Sequence, residues 1–371
     1  MRARRGADAW LAGPPDARGP MPRRRNASSL FPFFTELKGG NGVALTVLET
    51  AVLGTVLVLA VAANGAAIRL LVGRRKGPLR LSGCLMLNLF CADLLFVSAI
   101  PPIAVVRWTE SWTLGEALCH LLFYLMSLSG SVTLLSLAAV SLERLLSILR
   151  LRPAGPCPRR LVAAVLAALW AFAALATLPL SLFFTVQPCH THGREVYICT
   201  LMWPSTAGEI SWDVSFAVVV FLVPGLVIVI SYSKILQIAK ASRRRLDAGM
   251  AYSVSSHIRI SRQDFKLLRT LFVLMVSFFV MWSPIIVTIL LILVKELKPE
   301  MNIVPTFFFW VMAFTFSNSV VNPVLYNMAH FKHEWRRIFF CCPGSSRRKT
   351  VTDTTLRHHN NGHCSVSAIS R

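Results

Sequence analysis

Of the 371 residues, 54% are hydrophobic and 15% are charged. Soluble globular chains carry about a quarter charged residues, so the two or three soluble domains that this length would allow are excluded. The net charge of +22 does not indicate nucleic acid. The arginines fall in short segments between apolar blocks, where they read as topology signals and lipid headgroup contacts.

In chain order, residues 1–42 read as an extracellular polar tail rich in Pro, Gly and Arg. It holds no apolar run of the kind a cleavable signal peptide needs, so membrane insertion is expected to depend on the first span. Asn26-Ala27-Ser28 is an N-glycosylation acceptor. Apolar blocks follow at about 43–72, 83–107, 115–148, 161–185, 208–240, 263–294 and 305–328. A membrane-crossing helix needs roughly 20 apolar residues. The expected fold is therefore an all-α membrane protein, a seven-transmembrane helix bundle over 43–328 whose two ends lie on opposite sides.

Lys and Arg cluster after spans one, three and five: Arg74, Arg75, Lys76 and Arg80, then Arg150, Arg152, Arg159 and Arg160, then Lys240 and Arg243–Arg245. The bias puts those connections in the cytoplasm and the N-terminus outside. The arginines of the N-terminal tail run against it, but three loops agree. On the expected outer side lie Cys119, at the start of span three, and Cys199, between spans four and five. A disulfide between them would persist there, with Cys189 as the rival partner. No Cys-x-x-Cys pair of zinc spacing occurs, and the sequence implies no cofactor.

Beyond span seven, Phe331–Phe340 alternates apolar and basic positions at helical spacing, predicting a short amphipathic eighth helix on the inner membrane face. Cys341 and Cys342 follow as palmitoylation candidates, closing a segment over 329–342. From 343 to 371 the chain reads as a disordered cytoplasmic tail, with Thr350, Thr352, Thr354, Thr355 and Ser365 open to receptor kinases.

Charged groups inside spans are costly and need a reason. Asp93 lies in the middle of span two, with Asn64, Asn318, Ser319 and Asn322 at similar depth. It reads either as a structural carboxylate or as a switch and ion site, with sodium as the candidate ion. Glu143-Arg144 closes span three, Asn322-Pro323-Val324-Leu325-Tyr326 closes span seven, and Pro224 and Pro284 interrupt spans five and six. Each is weak alone, because proline is common in spanning helices. In order, Asn64, Asp93, Glu143-Arg144, Trp170, Pro224 with Tyr232, Trp282-Ser283-Pro284 and Asn322-Pro323-x-x-Tyr326 resemble the rhodopsin-like G-protein-coupled receptors over about 43–340. The resemblance implies that Arg144 contacts a heterotrimeric G protein and that Trp282 senses ligand. Glu143, Asp93, Tyr232, Pro284, Asn322, Pro323 and Tyr326 would act in coupling and switching. Glu143-Arg144-Leu145 stands where the family more commonly has Asp-Arg-Tyr.

The outer half of the bundle is rich in aromatics, which read as packing and interface anchors or as the lining of an apolar pocket. Acidic pocket residues are expected to be scarce in spans three, five, six and seven, which disfavours an amine ligand. Span seven has no lysine for a retinal Schiff base. Arg107, at the outer end of span two, would hold a ligand carboxylate, pair with Glu49, or snorkel to the interface. The strings Asn88–Phe96, Arg107–Glu110, Gly208–Phe216 and Met281–Ile286 resemble the long-chain free fatty acid receptors, from about Phe31 to Thr355.

That resemblance implies a pocket of Phe33, Phe96, Trp112, Met126, Trp203, Trp212, Phe216, Trp282 and Phe308, with Arg107 matching the arginine linked to carboxylate recognition. It implies long-chain free fatty acids as ligands, coupling to Gq/11 and also Gi, and arrestin recruited through Thr352, Thr354 and Thr355 at the plasma membrane. The sequence departs from it at Val220, where an amide is expected, and around Cys189. The competing readings are a receptor of this fold for another lipid or a peptide, and a membrane transporter or channel. An enzyme has no support, since the spans hold no His/Asp cluster or nucleophile elbow.

Overall fold

The computed structural model describes residues 30–40, 42–73, 81–149, 158–191, 193–247, 262–297 and 303–330. The glycosylation site Asn26, the expected amphipathic helix at 331–340, Cys341, Cys342 and the phosphosites Thr350, Thr352, Thr354, Thr355 and Ser365 lie outside the described residues, as do the basic residues at 74–80 and 150–157.

Seven helices are long and apolar enough to cross a membrane. Span one is α1 (Gly42–Gly73); span two is α2 (Leu81–Val97) with α3 (Ile100–Thr109); span three is α4 (Gly115–Ile148); span four is α5 (Arg159–Phe183). Span five joins α6 (Thr206–Phe216) to α7 (Val223–Asp247), span six is α8 (Arg262–Leu297), and span seven joins α9 (Pro305–Phe316) to α10 (Asn318–His330). Large apolar side chains such as Val43, Val58 and Leu175 point outward and are exposed. On a soluble protein such a surface would aggregate; facing lipid it costs nothing.

The breaks in the spans follow from local chemistry. In span two, Pro101-Pro102 lacks two backbone donors, so the helix stops at Ser98-Ala99 and restarts with proline in its first turn. In span five a π-helical turn, Ala217–Leu222, precedes Pro224. The wider turn absorbs the hydrogen bond that proline cannot donate. Span seven breaks at Ser317, whose N–H donates back to Ala313 and Phe314.

The connection between spans four and five was expected only as a loop. It is an antiparallel hairpin, β1 (Phe184–Thr191) and β2 (Arg194–Leu201), in register from Phe184↔Leu201 to Thr191↔Arg194. Its strands are rich in Val, Ile, Phe and Thr, and Gly193 supplies the positive φ of 75° that the turn requires. Cys199 of β2 bonds to Cys119 of α4 with Cα atoms 5.7 Å apart, so the bond does not involve Cys189. A second tie is the Trp112 N–H donating to Tyr197 O at 2.7 Å.

Among the described residues two large apolar cores fill the bundle, and a small third cluster of Ala92, Leu128, Val132 and Ala173 lies between spans two, three and four. Of the large cores, one lies at the hairpin end, around Phe34, Phe123 and Phe308. The other lies toward the far end, around Leu85, Phe90, Ile228 and Phe278. Between spans two, three and four a single amide makes the join: Asn88 Nδ2 donates to Ser136 Oγ at 2.9 Å, and Asn88 Oδ1 accepts from Trp170 Nε1 at 2.8 Å.

Candidate functional site

A cavity opens inside the hairpin half, between spans three, five, six and seven. Helical spacing turns Met126 and Gly130 of α4 inward, and α8 contributes Phe278, Trp282, Ile286 and Ile289 at intervals of three and four. Trp282 forms the floor, stacked between Phe96 at 5.2 Å and Phe278 at 5.3 Å, centroid to centroid. It presses on Gly130 so closely that a Cβ there would lie 2.3 Å from the indole ring. Just before Pro284, the carbonyl of Met281 accepts a hydrogen bond from Thr315 Oγ1 of span seven at 3.1 Å. Pro284 lacks the N–H that would serve Val280 O, and the Thr315 bond ties the adjoining carbonyl of this loosened turn to span seven.

The roof comes from the stretch expected to be tail. Phe31, Phe33, Phe34 and Thr35 are buried. The ring of Phe33 lies 5.0 Å from Phe123, 5.3 Å from Phe184 and 5.2 Å from Phe308. Its backbone has φ 47°, an unfavourable conformation for a bulky residue that persists only where packing dictates it. Thr200 of the hairpin donates from Oγ1 to Phe31 O at 3.0 Å, locking strand to roof.

Of the pocket residues expected from sequence, Phe33, Phe96, Met126, Trp212, Phe216, Trp282 and Phe308 line this cavity together. Trp112, Trp203 and Arg107 are outside its lining. Trp112 fixes the turn between spans two and three, its Nε1 donating to Gly115 O at 2.8 Å. Trp203 packs between Phe183 and Trp212, at 4.5 and 5.6 Å. Val220 lines the cavity where an amide was expected, so the wall is apolar at that position.

Arg107 takes the pairing with Glu49. It is 1% exposed, and its Nε and Nη2 donate to the two Glu49 carboxylate oxygens at 2.9 and 2.6 Å. Nη1 donates to Phe34 O at 3.0 Å, Nη1 and Nη2 reach Glu36 at 3.3 and 3.2 Å, and the guanidinium lies 4.9 Å from the Phe309 ring centre. Lys38 Nζ adds a 2.6 Å contact to Glu49, and Thr306 donates to Glu36. Two cations thus meet two carboxylates. A third anion would have to displace one, at a desolvation cost of several kcal/mol for a buried ion, on the order of that for any such charge.

Deeper in the bundle, Asp93 is buried and accepts from Asn322 Nδ2 at 3.0 Å and Ser319 Oγ at 3.4 Å. Asn64 joins this group by donating to Ser319 O at 2.8 Å. The oxygens of Asn318 and Asn322 have no hydrogen-bond partner among the described residues, which is the oxygen-rich setting that a hard cation such as sodium requires. At the far end, Arg144 Nε stands 3.7 Å from Glu143 Oε2, and neither atom makes a hydrogen bond. Tyr232 and Tyr326 are buried in the same half, with the Tyr326 ring 5.6 Å from Phe90.

Among the described lining residues the expected scarcity of acids holds for spans three, six and seven but not for span five. Glu209 and Asp213 both line the cavity and are buried. Their spacing of four was the available signal, since it puts both carboxyls on one helix face. Gly130, Phe31, Phe123 and Phe184 were also passed over. A glycine inside an apolar span carries no pattern that marks it as a contact.

Residues 63–326 match the 7 transmembrane receptor (rhodopsin family) family. The chain belongs to the rhodopsin family of seven-transmembrane receptors. It is a multi-pass membrane receptor and not an enzyme, and the transporter and channel readings fall away. It is 55% identical to free fatty acid receptor 4 of Rattus norvegicus, over 95% of this chain and 97% of the relative. It is 56% identical to free fatty acid receptor 4 of Mus musculus, over 89% of this chain and 91% of the relative. Somatostatin receptor type 3 of Mus musculus is 27% identical, over 84% of this chain and 74% of the relative.

Proposed function

We propose that this receptor is activated by medium- to long-chain free fatty acids, especially polyunsaturated ones. It would signal through a heterotrimeric G protein, chiefly Gq/11 and also Gi, and through arrestin. The observation that carries the reading is the identity of more than half, over nearly the whole chain, to two receptors whose names state free fatty acids. The roofed apolar cavity supports it, because a long hydrocarbon chain needs a wall of this kind with few polar groups.

In this reading the ligand chain lies among Phe33, Phe96, Met126, Trp212, Phe216 and Phe308 and bears on Trp282. Trp112, Trp203 and Arg107 act by holding the walls and roof. Span six swings at Pro284, and the far end opens beside Glu143 and Arg144 for the G protein. Asp93, Asn322, Pro323, Tyr326 and Tyr232 carry the change between the halves, with sodium at Asp93 favouring the resting state. A ligand shifts the balance only by the difference in its affinity for the two states. The N-terminus with glycosylated Asn26 faces outside the plasma membrane. The C-terminal tail, with its amphipathic helix, palmitoylated Cys341 and Cys342 and kinase sites at Thr350, Thr352, Thr354, Thr355 and Ser365, faces the cytoplasm.

The test is a panel of saturated and polyunsaturated acids of graded length on cells expressing the full-length receptor, with calcium release as readout. The expected result is a response that grows with chain length and unsaturation. Silence to every acid at normal surface expression sinks the proposal.

A further inference from the structure

Trp282 floors the cavity but does not close it. Its ring is pressed against Gly130, and the lining runs on beside it into the inner half of the bundle. Leu134 lies one turn inward of Gly130 on span three, and Phe278 lies one turn inward of Trp282 on span six. The π-helical turn of span five supplies Val220 and Phe221. Such turns widen a helix and recur at functional sites. All four residues line the same cavity as Phe33 and Trp212. Leu134 and Phe278 nevertheless belong to the inner core, and Phe221 packs against it. By helical rise the cavity follows span six for about 22 Å, from Leu293 to Phe278, and its last turn, about 6 Å, lies past the floor.

This annex is walled by apolar side chains. Among the described residues that line the cavity there is no Lys, Arg or His, so no cation balances an ionised head at this depth, and such a head is costly to bury alone. The acids Glu209 and Asp213 lie further out, on α6. Two polar groups stand close by in the chain. Ser131 Oγ already donates to Ser127 O at 2.7 Å. Trp282 Nε1 is buried and has no hydrogen-bond partner among the described residues. It is therefore the donor that a polar group entering the annex would seek. Leu134 and Phe278 are 2% and 1% exposed, so the annex is narrow and suits a linear hydrocarbon end rather than a ring.

We propose that this annex gauges chain length: the last methylenes of a long acyl chain pass Trp282 and seat among Leu134, Val220, Phe221 and Phe278. A shorter chain ends against Trp282 and touches only the outer core. A longer one reaches the inner core directly. Selectivity for length is then set beneath the floor, not at the roof. This rests on the fatty-acid reading above.

The experiment uses the full-length receptor in nanodiscs and measures the affinity of straight-chain acids that lengthen two carbons at a time. Each methylene that enters the annex is expected to raise affinity about fourfold, until the annex is full. Val220→Phe fills the annex. It should weaken the longest acids about tenfold or more and leave the shorter ones within about twofold, so that the best chain becomes shorter. Leu134→Ala is the second variant. It deepens the annex and should move the best chain to greater length. A long acid with a hydroxyl on its terminal carbon should bind about tenfold weaker than its parent, because the hydroxyl would be buried among apolar walls. If that acid binds as tightly as its parent, a polar group such as Trp282 Nε1 receives the chain end and the proposal is overturned. It is overturned equally if Val220→Phe weakens all lengths alike, or if neither variant moves the best chain length. If no acid of any length binds the wild-type receptor, the fatty-acid reading itself has failed.

Discussion

Arg107, at the hairpin end, is tied by Glu49, Glu36 and the Phe34 carbonyl and covered by the Phe309 ring. Arg144, at the far end, faces Glu143 across 3.7 Å without a hydrogen bond. Both are arginine–glutamate pairs, but their environments give them opposite parts. A buried, bidentate pair with every donor engaged is a fixed strut. A half-buried pair at long range is weak, and so can be exchanged for another partner. The hairpin end is built to stay closed around its contents, and the far end is built to change partners.

The largest expected effect breaks the strut. Arg107→Ala leaves Glu49 and Glu36 short of their main cation and should cost about 3–5 kcal/mol. Surface expression and thermal stability should both collapse, whereas a direct ligand contact would leave expression intact and lower only potency. Next comes the floor. Gly130→Ala puts a methyl group where the Trp282 ring now lies, an overpacking worth about 1–3 kcal/mol. Trp282 should leave its seat and ligand-free G-protein activation should rise; an unchanged basal signal would show that this contact does not hold the resting state. Phe33→Ala removes the keystone ring of the roof. Bound fatty acid should dissociate about tenfold faster, a change of about 1.4 kcal/mol, measured by ligand release from the purified receptor. The smallest effect belongs to the far end. Glu143→Gln removes a contact worth under about 1 kcal/mol and should raise basal activity only a few-fold with expression unchanged. A loss of expression as severe as that of Arg107→Ala would erase the contrast between the two pairs.

The seven spans were legible because each crossing helix must satisfy its own backbone and face lipid, which writes a long apolar block into the sequence. The ordered landmarks from Asn64 to Tyr326 were legible because polar groups and prolines stand out in such blocks. The hairpin was less so: its strands are short, and charge counting along a loop does not sense alternation. Arg107 illustrates the deeper limit. Glu49 was visible as a partner, but Glu36 and the Phe34 carbonyl belong to a stretch that reads as a tail. Their arrival depends on three phenylalanines burying themselves between spans three and seven. Asp213 and Glu209 were masked in another way. Acids near the start of a span read as interfacial, and only the packing turns them toward the cavity.

Asn88 has one further consequence. Its amide gives its donor to Ser136 and its acceptor to Trp170, so spans three and four are each fastened to span two through the same side chain. Substitutions at Ser136 and Trp170 therefore share a partner, and their effects should not add. Once either is removed, the amide is free to reorient, and losing the other costs less. In the language of coupling free energies, a single asparagine makes two helix interfaces into one cooperative unit.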